Sequence, residues 1–166
     1  FGLGLVGGRF SPVWRRIADG IVYGVRRSSF GDLYFPVAIG ALFLVSARDS
    51  VTFYIPILTM TLADAAAALV GTRRGAHVFR RPGREKSIEG SVAFFLVALP
   101  CAYVPLRVWT EGGWAETLLL SLNLALLATL VEALSWNGLD NLTVPLAVFL
   151  LLRMLRGCDI AYLMAC

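Results

Sequence analysis

The sequence predicts an all-α protein, a polytopic transmembrane helical bundle with about five to six spans. Its 166 residues are 58% hydrophobic and only 16% charged, and the mean hydropathy is +0.74. A soluble domain normally holds about 45–50% apolar and about 25% charged residues, so much of this apolar surface must face lipid. No polar linker or low-complexity tract divides the chain, and we therefore expect a single integral membrane domain over residues 1–166.

Five apolar runs approach the length of about 20 residues that a spanning helix needs. The predicted spans are 33–47, 51–71, 90–108, 115–134 and 142–156, with a possible sixth beginning at 159–166. Several of these runs contain proline, which predicts kinks or broken helix ends. Ahead of them, residues 15–31 have the pattern of an amphipathic helix lying on the membrane surface. The first residue is Phe1, and we expect N-terminal segments upstream of it.

The basic residues predict which way the bundle faces. If the five spans alternate, the segments at 15–31, 72–89 and 135–141 lie on one side of the membrane. That side holds ten arginine and lysine residues, and the other side holds four at its edges. Because lysine and arginine in short loops favour the cytoplasmic side, residues 72–89 are predicted to form a cytoplasmic basic loop.

Asp64 is a carboxylate inside an otherwise uncharged span. It lies about 10 Å from the end of that helix at Gly71. A carboxylate at this depth costs several kcal/mol unless it faces a partner or a water-filled cavity. Small residues surround it, Ala63 and Ala65–Ala68, and they would let another helix approach closely. A structural pairing with an arginine is the alternative, but the setting favours a functional role.

Further oxygen ligands fall at the same predicted face of the membrane. Glu132 lies near the end of the fourth span, and Asp140 and Asn141 follow in a short connector. We expect these groups to converge with Asp64 beside the basic loop. Carboxylates together with substrate phosphates are the usual ligands of Mg²⁺ in proteins. The sequence therefore predicts a magnesium site here.

The basic loop itself has features of an anion-binding site. Its glycines, Gly71, Gly75, Gly83 and Gly90, permit backbone amides to point at an anion. Ser87 is a candidate cap for the following helix, whose N-terminus would then face phosphate. The alternative is an ordinary cytoplasmic loop that contacts anionic lipid head groups. That alternative explains the arginines but leaves the carboxylates unexplained. His77 is expected at the surface or near phosphate, without a catalytic role.

Three ordered stretches resemble a known family. "LADAAAALVGTRRG", "REKSIEGSVAFF" and "LVEALSWNGLDNLTVPLA" are similar to the dolichol kinase, phytol kinase and CTP-dependent diacylglycerol kinase family, and the resemblance covers residues 26–152. These are polytopic lipid-alcohol kinases, related to phosphatidate cytidylyltransferases. The resemblance implies an enzyme that transfers the γ-phosphate of CTP to the hydroxyl of a membrane lipid alcohol such as a polyprenol, dolichol, phytol or diacylglycerol.

The resemblance and the residues together yield a set of expected roles. Asp64, Lys86 and Glu132 are expected to be catalytic, and Asp64 is either a metal ligand or the base that accepts the hydroxyl proton. The expected Mg²⁺ ligands are Asp64, Glu132, Asp140 and Asn141. The expected nucleotide-binding residues are Gly71, Arg73, Arg74, Gly75, Arg84, Lys86, Ser87, Glu89 and Gly90. Expected partners are CTP, a lipid alcohol and the membrane, with no nucleic acid, and a homodimer is a possible assembly.

Two other functions remain open from sequence. A phosphatidate cytidylyltransferase would release pyrophosphate from CTP, although the proline-glycine-histidine signature associated with those enzymes is absent. A basic, histidine-containing segment expected near the N-terminal part of the kinase family is also not evident, which leaves part of the site undefined. A small transporter or channel could use Asp64 and Glu132 as an ion path, but it leaves the basic loop unexplained.

Overall fold

A computed structural model describes residues 31–46, 49–81, 84–136 and 138–157. These residues form a helical bundle with one small hairpin, which confirms the predicted all-α class. The elements are α1 (Gly31–Val45), α2 (Ser50–Leu58), a π-helix (Thr59–Ala63), α3 (Asp64–Arg74), β1 (Val78–Arg81), β2 (Arg84–Ser87), α4 (Ile88–Trp109), α5 (Trp114–Leu134) and α6 (Asp140–Gly157). The predicted surface helix at 15–31, except Gly31, and the possible span at 159–166 lie outside the described residues.

Each of the five predicted spans corresponds to a helical rod, and each predicted boundary lies within three residues of the observed one. Among the described residues, three rods are long and apolar enough to cross a membrane: Ser50–Arg74, Ile88–Trp109 and Trp114–Leu134. The first rod joins α2, the π-helix and α3 without a break. The apolar part of α1 is shorter, at Leu33–Val45. The number of spans therefore stays a prediction.

Aromatic side chains mark one end of the bundle. Tyr54 of α2 stacks against Phe53 and Trp109, with ring centroids 5.2 and 5.5 Å apart, and Phe53 also contacts Phe43 of α1. Tyrosine and tryptophan favour the interface between lipid and water. Helix α4 runs from Ile88 to this aromatic end over about 33 Å, close to the thickness of a hydrocarbon core. If α4 crosses the membrane, as its length and composition allow, the opposite end, where α4 begins, lies near the other membrane face.

Glycine lets α3 and α4 approach closely at that opposite end. A Cβ atom added to Gly90 would lie 3.1 Å from the Ala67 carbonyl oxygen, 3.1 Å from Ser87 Oγ and 3.5 Å from the Cα of Gly71. Small residues at a crossing are typical of helix pairs in membranes, because they allow backbones to touch. Gly71 and Gly90, expected as nucleotide-binding residues, thus also have a packing role.

This contact makes a stability prediction. We expect Gly90→Ala to destabilise the protein by about 1–3 kcal/mol, because the new methyl group meets a backbone carbonyl that cannot move freely. Gly40→Ala is the matched control, since its Cβ would meet no described atom within 4 Å. An alanine in that helix is expected to be neutral or stabilising by about 0.5–1 kcal/mol. Thermal unfolding in detergent measures both, and equal midpoints for the two variants would contradict the close crossing.

The predicted loop at 72–89 is partly wrong, because it contains regular structure. Helix α3 continues to Arg74, and strands β1 and β2 then form an antiparallel hairpin in which Val78 pairs with Ser87 and Phe79 with Lys86. The sequence does contain a signal for this hairpin, because the dipeptide Pro82-Gly83, which is typical of turns, separates two runs of strand length. The hairpin fixes which side chains of the basic segment face the bundle.

Candidate active site

The π-helix Thr59–Ala63 positions Asp64. A π-helical turn holds more residues per turn than an α-helical one, so it changes the face that the following helix presents, and such turns are common at functional sites. Asp64 follows directly as the first residue of α3, and it is half-buried between α4, α5 and α6. Pro56, three residues before the π-helix, lies inside the same rod, in agreement with the predicted irregularity.

Three carboxylates from distant parts of the chain converge at this point. Asp64 begins α3, Glu132 lies in the last turn of α5, and Asp140 begins α6. One carboxylate oxygen from each residue lies within 4.8 Å of the others. The turn before α6 requires Gly138, whose φ of 80° few other residues adopt. The structure thus brings together three of the four residues expected as Mg²⁺ ligands.

Lys86 of β2 is buried among these carboxylates. Its Nζ lies 2.7 Å from Glu132 Oε1 and 3.6 Å from Asp140 Oδ2, and it also donates to the Glu132 backbone carbonyl. The side chains of Lys86, Glu132 and Asp140 are only 6%, 7% and 4% exposed. The ammonium also lies at the C-terminal end of α5, where the helix dipole favours a positive charge.

The cluster of three carboxylates has the chemistry of a binding site for a divalent cation. Among the described residues, these three carboxylates and the Lys86 ammonium carry a formal charge of −2. Glu132 Oε2 is buried and has no hydrogen-bond partner in the part of the chain that the structure describes. Buried polar atoms nearly always have a partner, so this oxygen calls for one. A hard cation with oxygen ligands, such as Mg²⁺, would satisfy the oxygen and neutralise the charge.

A cleft of about 400 Å³ opens beside the carboxylates. Its walls come from α3, the hairpin, the start of α4 and the end of α5. The lining residues are Asp64, Ala67, Ala68, Gly71, Thr72, Val78, Glu85, Lys86, Ser87, Gly90, Ser91 and Glu132. Asp64 and Glu132 also lie close to Met60, Phe94 and Val144, in the apolar interior of the bundle.

The start of α4 faces the cleft as expected. Ser87 caps the helix, because its Oγ accepts a hydrogen bond from the Gly90 amide at 3.1 Å. Gly71 lines the opposite wall, and Gly75 ends α3 against Ser87. Four of the expected nucleotide-binding residues line this cleft together: Gly71, Lys86, Ser87 and Gly90.

The arginines are not brought to the cleft. Arg73 and Arg74 are exposed in the last turn of α3 and do not belong to the lining. Arg84 begins β2, and its side chain lies outside the described part of the structure. Counting charges in the sequence treats every arginine and lysine of the segment alike. Among the described side chains of the segment, Lys86 is buried, whereas Arg73 and Arg74 are exposed.

Glu89, expected to bind nucleotide, instead contacts the hairpin. Its carboxylate accepts hydrogen bonds from the His77 backbone amide at 3.2 Å and from the His77 ring at Nδ1, 2.7 Å away. The neighbouring Ile88 amide donates to the His77 carbonyl. Glu89 therefore ties the base of the hairpin to α4, and it acts on the cleft through the position of Lys86.

We expect Glu89→Ala to loosen the hairpin, because the variant loses an acceptor for two donors of His77. Amide hydrogen exchange in the peptide spanning residues 77–88 should accelerate by about fivefold or more, as expected for one lost hydrogen bond of about 1 kcal/mol. Glu111→Gln, at an exposed site in the α4–α5 connection, is the control and should leave that peptide unchanged. Unaltered exchange in Glu89→Ala would show that the hairpin does not depend on this anchor.

Asn141 lies beside the carboxylates, but its side chain is already bonded. Its Nδ2 donates to the Gly31 carbonyl at 3.1 Å, which joins α6 to the start of α1, and its backbone amide donates to Asp140 Oδ1. Both bonds use N–H groups, whereas a metal would bind Asn141 Oδ1, so the ligand role and the orienting role both stay predictions. Ser91 was not among the residues predicted from the sequence, although it lines the cleft.

The chain has relatives among known proteins. The chain is 36% identical over 124 residues to a phytol kinase of Synechocystis, a match covering 74% of this chain and 53% of that protein. It is 32% identical over 135 residues to a probable chloroplastic phytol kinase of wheat, a match covering 76% of this chain and 44% of that protein.

The chain thus spans about half the length of the curated relatives it matches. No family model and no solved structure matches it. Both matches exceed 30% identity over three quarters of the chain, and they agree with the resemblance carried by the three sequence stretches. The chain therefore belongs to the phytol kinase-like family.

Proposed function

We propose that this chain carries the catalytic site of a lipid-alcohol kinase, which uses Mg²⁺ and CTP to phosphorylate the hydroxyl of a membrane lipid. The observation that carries the proposal is the cluster of Asp64, Glu132, Asp140 and Lys86 at the edge of a cleft of about 400 Å³. Phytol is the first acceptor to test, because both relatives are named for it.

The cleft provides what a triphosphate needs. Phosphoryl transfer depends mainly on positioning and on neutralising charge. The N-terminus of α4 is capped by Ser87 and lies beside the cleft near Gly71 and Gly90, where the helix dipole would favour phosphate oxygens. Lys86 supplies a positive charge on the same wall. When the metal is bound, Lys86 would no longer be needed to neutralise Glu132 and Asp140, and its ammonium could pair with phosphate.

Asp64, Glu132 and Asp140 would hold Mg²⁺, which supplies charge neutralisation and polarises phosphate oxygens. Asp64 lines the cleft and is the least buried of the three carboxylates. A lipid hydroxyl that entered the cleft would therefore reach its carboxylate most readily. Asp64 is thus the candidate base that accepts the hydroxyl proton, and its role as a ligand stays open beside this one.

The depth of the site suits a lipid alcohol. Helix α5 covers about 30 Å from Trp114 to Leu134, and its exposed terminal Trp114 and the nearby exposed Trp136 are residues that favour the membrane interface. Glu132 lies within one turn of the end of α5, so an alcohol head group at the interface could reach it while its tail stays in lipid. The excess of basic residues at this end predicts that it faces the cytoplasm.

The proposal is tested by incubating the purified protein with Mg²⁺, CTP labelled at the γ-phosphate and a panel of phytol, polyprenol, dolichol and diacylglycerol. We expect label in the lipid phosphate and release of CDP. Release of pyrophosphate with phosphatidate as substrate would instead identify a cytidylyltransferase. Solute flux in liposomes without nucleotide consumption would identify a transporter.

A further inference from the structure

We propose that Ser91 is a phosphate-binding residue, whose hydroxyl donates a hydrogen bond to an oxygen of the triphosphate in the cleft. The inference rests on the proposed function and adds a residue to its donor-binding wall. Ser91 Oγ is buried, it lines the cleft, and among the described residues it has no hydrogen-bond partner. A buried hydroxyl without a partner is rare, so its partner is expected to be a ligand.

Other hydroxyls of the chain behave differently. Eight serine and threonine side chains in helices or at helix ends donate to the carbonyl four residues earlier, at distances of 2.6 to 2.9 Å. They are Thr61, Thr72, Thr110, Thr117, Ser121, Thr129, Ser135 and Thr143. Serine and threonine hydroxyls on helices in apolar surroundings commonly satisfy their donor with this bond to the backbone. Ser91 does not make it, although it is already in the first turns of α4.

The surroundings of Ser91 select an anionic ligand. It follows Gly90 directly, in the first turn of a 22-residue helix, where the helix dipole favours negative charge. Lys86 and the Ser87 cap border the same cleft. Asp64, Glu85 and Glu132 also line the cleft. We therefore expect the anionic ligand to enter together with a divalent cation that Asp64 and Glu132 hold.

Removal of a hydroxyl that waits for a ligand and removal of a hydroxyl that is bonded within the protein have different effects on thermal stability. We expect Ser91→Ala to unfold at the same temperature as the native protein or slightly above it when no ligand is present, because it removes a buried group without a partner. Ser121→Ala is the matched control, because Ser121 is fully buried in α5 and donates to the Thr117 carbonyl. That variant should be less stable and should bind triphosphate normally.

The binding test uses magnesium tripolyphosphate, whose affinity does not depend on lipid turnover. Ser91→Ala should bind it about tenfold more weakly, as expected for one hydrogen bond to a charged group, and Ser91→Thr should restore binding to within about threefold. In the kinase assay, the KM for CTP should rise by a similar factor while the KM for the alcohol stays constant.

Unchanged affinity for tripolyphosphate in Ser91→Ala would overturn the inference. A rise in the KM for the alcohol alone would also overturn it and would place the hydroxyl at the acceptor. If the native protein binds tripolyphosphate through Ser91 but transfers no phosphate, the proposed function fails and the inference stands. If the native protein transfers phosphate normally and Ser91→Ala has no effect on binding or on the KM for CTP, the proposed function stands and the inference about Ser91 fails.

Discussion

Asp64→Asn is expected to lower kcat for lipid phosphorylation by about a thousandfold or more, whichever of its two roles is correct. The amide keeps the size of the side chain but removes a negative charge from a group of three carboxylates. As a base it cannot accept the hydroxyl proton, and as a metal ligand it binds more weakly. Initial rates with CTP and phytol under saturating Mg²⁺ measure the loss.

Glu111→Gln is the matched control for this prediction. Glu111 lies exposed in the connection between α4 and α5, at the aromatic end of the bundle, and its loss should change kcat by less than about twofold. Thermal unfolding should show that Asp64→Asn retains its fold. If the Asp64→Asn protein keeps more than a tenth of the native kcat, Asp64 is neither the base nor an essential metal ligand.

Lys86→Met is expected to destabilise the protein by about 3–5 kcal/mol when Mg²⁺ is absent. Its ammonium is the nearest described positive charge to Glu132 and Asp140, and all three side chains are more than nine-tenths buried. Without it, the buried Glu132 carboxylate loses the ammonium 2.7 Å away, and Asp140 loses a positive charge at 3.6 Å. We expect saturating Mg²⁺ to recover part of this loss in the variant and to stabilise the native protein less. Unfolding midpoints with and without Mg²⁺ provide the measurement.

Two further variants sharpen this result. Arg107→Met removes a cation at the aromatic end, where its side chain is exposed and donates to the Gly112 carbonyl, so it should change stability by less than about 1 kcal/mol. The double variant Lys86→Met with Glu132→Gln should be more stable than Lys86→Met alone, because it removes one unpaired charge. A Lys86→Met protein as stable as the native one would contradict the buried ion pair.

The spans could be predicted because they depend on local composition. A run of about 20 apolar residues is long enough to cross a bilayer, and this inference does not depend on which helices pack against the run. The convergence of Asp64, Glu132 and Asp140 was also within reach, since alternation of the spans places their helix ends at one face. A carboxylate in an apolar helix is costly, and that cost identified Asp64 without any knowledge of its partners.

The position of Lys86 could not be predicted in the same way. It is 46 residues from Glu132, and their contact depends on the register of a hairpin and on the crossing of three helices. Charge counting treated Lys86 and the exposed Arg73 and Arg74 alike. The π-helix before Asp64 was also beyond the sequence, because its five residues have the composition of an ordinary apolar helix. Glu89 matched a family motif, but its bonds to His77 are visible only in the folded chain.

The most direct test of the central claim is Mn²⁺ binding, followed by electron paramagnetic resonance with CTP present. We predict that the native protein binds Mn²⁺ in competition with Mg²⁺ and that the bound ion shows coupling to ³¹P of the nucleotide. Glu132→Gln should lose this signal, whereas Glu111→Gln should keep it. Equal Mn²⁺ binding and ³¹P coupling in the native protein and in Glu132→Gln would contradict a metal-triphosphate site at the three carboxylates.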